Sequence, residues 1–89
     1  MHYVYTLHWP DALYHGYSSN VFRRMKEHRS RCKDGDELAL VQEHYDANGI
    51  WTSVEFRQFG SKEEALAKER ELVNSEASKE WCLNAERNG

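Results

Sequence analysis

Hydrophobic and polar positions alternate with two different periods along this chain, and the places where the period changes mark its elements. Met1 to Leu7, reading MHYVYTL, alternates aromatic and β-branched residues with a period of two. That pattern predicts a strand with Tyr3, Tyr5 and Leu7 on one face. His8 to Ala12 breaks it, and Pro10-Asp11 suits the middle of a type I turn. Leu13 to Tyr17 then reads as the returning strand of a hairpin, in which Gly16 signals a bulge or the close approach of another group.

From here the period lengthens. Ser18, Ser19 and Asn20 are each suitable N-caps, and Val21, Phe22 and Met25 recur at helical spacing behind them. At about 100° per residue, Arg24 and His28 fall one turn apart on the edge of that stripe. The unpaired N–H groups of the helix start lie towards Gly16, where a phosphate could sit. After a polar bend over Lys33 to Asp36, Asp36 is a candidate N-cap for a second helix. Leu38, Val41 and Tyr45 line that helix, and Asn48-Gly49 stops it.

Trp51 to Phe59 reverts to alternation, with Thr52, Val54 and Phe56 on one face and Glu55 and Arg57 on the other. Ser61 followed by Glu64 is a capping box for a last helix running to about Ser75. Ala65, Leu66, Leu72 and Val73 define its buried face, and Glu69 falls at the centre of that face. Trp81 and Leu83 read as anchors, and Asn84 precedes a frayed polar tail. The order β-β-α-(α)-β-α predicts an α+β fold: a small, mostly antiparallel three-stranded sheet flanked by helices, in one domain over residues 1–89.

Composition narrows the function. Residues are 39% hydrophobic and 30% charged, and no apolar run approaches a membrane span or a signal-peptide core, so a cytoplasmic protein without membrane partners is expected. Cys32 and Cys82 are far apart and in no metal-ligand spacing, so they read as reduced thiols. The net charge of −3 opposes indiscriminate binding to nucleic acid. Its distribution is lopsided: residues 23–33 carry +5 and the remainder −8, so a polyanion would land on the first helix, with Arg23 and Lys26 as contacts. A solvated helix face explains the same cluster without a ligand.

Glu69 demands more explanation. An ionised carboxylate in a core without a partner costs several kcal/mol, so a cation, a backbone donor or a metal must meet it, or it must be partly exposed.

Tyr3-Val4-Tyr5, Tyr14-His15-Gly16, Arg24, His28, Glu69 and Asn84 resemble, in order and spacing, the signature of the GIY-YIG nuclease superfamily, most of all its short stand-alone members. The likeness spans nearly the whole chain. It departs at Tyr3, where the first motif has glycine, and at His15, where the second has an apolar residue. The resemblance implies a DNA endonuclease that hydrolyses phosphodiester bonds with the help of one Mg2+ or Mn2+ ion. Glu69 would be the metal ligand and Arg24 the phosphate clamp. Tyr5 would be the general base, its ordinary pKa of about 10 lowered by Arg24 and the metal. His28 would take the tyrosine proton or position the water, Tyr14 would orient the phosphate, and Asn84 would brace the site. Ser18 and Asn20, at the helix start, would join Arg23 and Lys26 in contacting DNA. So small and acidic a domain would need branched or distorted DNA, or a partner protein to deliver it. The alternative is a catalytically inactive module of the same fold that binds nucleic acid or a protein.

Overall fold

The hairpin is built from β1 (His2–Trp9) and β2 (Ala12–Ser18), antiparallel with Trp9 opposite Ala12 and only Pro10 and Asp11 between them. Neither linking residue takes a positive φ, which excludes the I′ and II′ turns usual for so short a connection. Pro10 explains the exclusion, because its ring holds φ at about −65°. The computed structural model describes residues 1–76 and 79–84; the polar tail expected after Asn84 lies outside the described residues.

A third strand, β3 (Ser53–Phe59), pairs antiparallel with the other side of β1, giving the order β2-β1-β3. Among the described residues, three helices complete an α+β fold: α1 (Val21–Asp34), α2 (Ala39–Asn48) and α3 (Lys62–Glu76). No helix among the described residues is long and apolar enough to cross a membrane.

As the central strand, β1 is covered on both faces, so Val4 and Thr6 are buried as well as Tyr5 and Leu7. The odd-numbered face meets α1 and the even-numbered face meets α3, as the hydrogen bonds of Tyr5 to His28 and of His15 to Glu76 record. β3 is an edge strand. Its Phe56 is 57% exposed and Thr52 lies outside it, so the apolar face expected from alternation is only half used.

Local chemistry accounts for the helix ends. Of the three candidate caps, Asn20 is used: the Arg23 N–H donates to its Oδ1 at 3.0 Å. α1 ends at Gly35 (φ 74°), and the Asp36 N–H donates to the Arg31 carbonyl at 2.8 Å. Asp36 is thereby drawn into the end of α1, and the expectation that it caps α2 is not met; Leu38 occupies the N-cap without a side-chain bond. The inward stripe of α1 is Val21, Met25, His28 and Cys32, whereas Phe22 is 83% exposed, about 100° off that stripe. At α3, the Glu64 N–H donates to Ser61 Oγ at 3.2 Å, as a capping serine should allow.

The segment after α3 returns to β2. Leu13 N–H donates to the Trp81 carbonyl and Leu83 N–H to the Leu13 carbonyl, both at 2.9 Å. Cys82, Leu83 and Asn84 are buried by this bridge, while Trp81, expected as an anchor, is 38% exposed.

Candidate functional site

Tyr5 is the hub of the α1 face. It stands opposite Gly16 on β2, and its ring lies against the glycine backbone, which explains why that strand position carries no side chain. The close approach expected at Gly16 is therefore that of Tyr5. The Tyr5 hydroxyl is 2.6 Å from His28 Nε2 on α1. Tyr14 joins them edge-on, with ring centroids 6.5 Å from Tyr5 and 5.7 Å from His28.

His28 continues the chain of contacts: its Nδ1 is 2.6 Å from Glu37 Oε2. The two side chains are 5% and 1% exposed, so the pair is dry. Glu37 comes from the link between α1 and α2 and is the residue that sequence reasoning missed. In the sequence it is one acid beyond a polar bend, with the same appearance as a solvated carboxylate.

Arg24 lies half-buried on the same helix. Its Nε donates to Glu27 Oε1 at 3.0 Å, and it also hydrogen-bonds the Tyr5 side chain. Burial, the largest influence, together with the neighbouring Tyr14 and Glu69, pushes the Tyr5 phenol well above its ordinary range; Arg24 pulls it down by charge and hydrogen bond but is outweighed. Arg24 by itself therefore does not bring the Tyr5 phenol below its ordinary range; the lowering expected from the resemblance requires Arg24 together with a metal ion. Glu37 behaves oppositely. Burial opposes its ionisation, yet the hydrogen bonds from His28 and the Leu38 N–H, with the charges of His28 and Arg31, hold its carboxyl below the usual range.

Glu69 is half-buried on α3, close enough for its charge to act on Tyr5. Among the described residues no three His, Cys, Asp or Glu side chains are grouped to hold a metal ion. A lone carboxylate such as Glu69, whose charge reaches Tyr5, does not suit a permanently caged metal such as structural zinc. It does suit a hard divalent ion held by one carboxylate, water and substrate oxygens.

Asn84 sits behind this group and is fully buried. Its Oδ1 accepts the His15 N–H and its Nδ2 donates to the His15 carbonyl, each at 2.8 Å, so it clamps β2 between Tyr14 and Gly16. The His15 ring points to the other face, where Nδ1 is 2.8 Å from Thr6 Oγ1 and Nε2 is 2.5 Å from Glu76 Oε1. His15 therefore forms no part of the wall around Tyr5.

Four expected DNA contacts divide in two. Arg23 and Lys26 are exposed on α1. Ser18 is buried, accepting the Asn20 N–H and donating to the Asn20 carbonyl at 2.9 Å, and the Asn20 side chain is occupied by the helix cap. Both are committed to starting α1. Cys32 is buried, and desolvation pushes its thiol up to about 11, which makes it inert.

No protein-family model, no characterised protein and no solved structure matches this chain.

Proposed function

We propose that this protein is a divalent-metal-dependent DNA endonuclease of the GIY-YIG type. The observation that carries the reading is the convergence of Tyr5 and Tyr14 from the hairpin with Arg24 and His28 from α1, around one phenol that also feels the charge of Glu69.

Hydrolysis of a phosphodiester needs a proton acceptor for the attacking water, compensation for charge building on the phosphate, and a fixed orientation. Tyr5 takes the water proton after its own has moved to His28. Arg24 presents a planar guanidinium to the non-bridging oxygens, exchanging its surface pair with Glu27 for the phosphate. Tyr14 orients the substrate, and Asn84 keeps β2 in register with Tyr5. Glu69 would hold the Mg2+ or Mn2+ ion, which when bound neutralises phosphate charge. Arg23 and Lys26 steer the polyanion to α1, and a branched or distorted substrate, or a delivering partner, offsets the acidity of the rest of the surface.

Plasmid nicking in magnesium tests the reading. The intact protein nicks, and Glu69→Ala and Tyr5→Phe each lose activity by roughly 100-fold or more. Nicking that survives both substitutions exposes a contaminant. Inactivity of the intact protein on supercoiled, linear and branched DNA leaves a binding module in place of an enzyme. Affinity is expected to fall steeply with salt, and Arg23→Gln with Lys26→Gln lowers the slope of log affinity against log salt by about two. Binding that ignores salt contradicts the assignment of α1 as the DNA face.

A further inference from the structure

Tyr5, His28 and Glu37 form a line of three buried side chains with two short contacts, 2.6 Å each. The proposed reaction uses the first two. The third has no task in it, although its side chain is 1% exposed and an acid so placed is costly to keep.

We infer that Glu37 is a positioning residue: its carboxylate fixes His28 as the Nδ1–H tautomer and thereby turns the Nε2 lone pair onto the Tyr5 hydroxyl. The inference rests on the nuclease reading for its catalytic meaning, while the tautomer itself is a property of the free protein.

The assignment follows from counting donors. A carboxylate only accepts, so the contact with Glu37 requires a proton on His28 Nδ1. A neutral imidazole then has none on Nε2, and the Tyr5 hydroxyl must be the donor in the second contact. Glu37 is itself held from two sides. The Leu38 N–H donates to its Oε1 at 3.0 Å, and its own N–H donates to Gln42 Oε1 at 3.2 Å. Gln42 in turn donates to the Cys32 carbonyl at 3.0 Å, which ties the start of α2 to the last turns of α1. The ring orientation of His28 is thus set by both helices, in the way that a carboxylate behind a histidine fixes its tautomer.

The proton steps balance. The Tyr5 proton passes to His28 Nε2, leaving a phenolate and an imidazolium whose Nδ1–H still faces Glu37. The phenolate takes one proton from water as the water oxygen bonds to phosphorus and the bond from phosphorus to the leaving oxygen breaks. Solvent protonates the leaving oxygen, and His28 returns its proton to solvent. Glu37 stays ionised throughout and stabilises the imidazolium.

A buried pair that merely joins two helices would be kept for stability, and nitrogen-15 NMR separates that role from positioning. With the His28 ring assigned by its loss in His28→Gln, the wild type is expected to show a protonated Nδ1 and an unprotonated Nε2 near neutral pH. Glu37→Gln, nearly the same shape, is expected to lose that preference and to lower kcat for nicking about 10- to 100-fold with little change in KM. A wild-type ring protonated on Nε2, neutral or cationic, overturns the inference. So does a folded Glu37→Gln protein that nicks at the wild-type rate. The wild-type spectrum decides the tautomer even if Glu37→Gln does not fold. Inactivity of the wild type would sink the nuclease reading and leave the tautomer to be settled by the spectrum.

Discussion

Gly16→Ala is expected to destabilise the protein by about 3 kcal/mol or more and to abolish nicking. A Cβ at this position would stand 2.3 Å from Tyr5 Cζ and 2.4 Å from the Tyr5 hydroxyl oxygen. Neither atom can yield cheaply, because the ring is 1% exposed and its hydroxyl is bonded to His28. Either the hairpin opens or Tyr5 swings out, and both break the contact with His28. Overpacking of this kind costs about 1–3 kcal/mol, and stranding a buried hydrogen-bonding group adds about as much again. Against a total stability of about 5–15 kcal/mol that is a large fraction. The φ of Gly16 is not positive, so space and not backbone freedom is the reason for glycine here. Urea denaturation measures the loss, and a double-mutant cycle locates it. In a Tyr5→Ala background the same substitution should be nearly neutral. A Gly16→Ala protein as stable as the wild type would mean that Tyr5 does not occupy this place.

Asn84→Ala is the second large effect expected, roughly 2–6 kcal/mol, without any change in a group assigned to chemistry. The side chain is fully buried and satisfies both backbone groups of His15. Alanine would leave a buried N–H and a buried C=O without partners, each costing about 1–3 kcal/mol. Asn84→Asp is expected to be no better: it keeps an acceptor for the N–H but sets a second acceptor, and a charge, against the His15 carbonyl. Thermal unfolding reports the loss, and faster hydrogen exchange at the His15 amide places it. Unchanged stability would show that the segment after α3 is not what holds β2.

The substitution effects explain why some residues could be read in advance and others could not. The faces taken by Tyr5, Arg24 and Glu69 were legible because each sits at a definite phase of a strand or helix period, and phase says which face a residue takes, whereas Tyr14 was singled out by the family resemblance. Glu37 has no phase: it lies in a link, and its importance comes from a histidine nine positions away. Phe22 was misplaced because helical spacing identifies a stripe but not its edges, and α1 presents to the sheet a stripe centred on His28 and Cys32. The polar residue at His15, where the resembled motif has an apolar one, is accounted for by strand alternation. Its neighbours Tyr14 and Gly16 face Tyr5, and the pleat sends His15 the other way.

Local rules therefore sufficed for element type, element order, the hairpin, the Asn20 and Gly35 helix ends and the charge carried by α1, because those depend on residues within a few positions of one another. Which side chains meet across the sheet was settled by packing. The 2.6 Å contacts of Tyr5 with His28 and of His28 with Glu37 depend on how α1 lies over β1 and how the link to α2 folds back, and the burial that raises the Tyr5 phenol exists once those surfaces have closed over it.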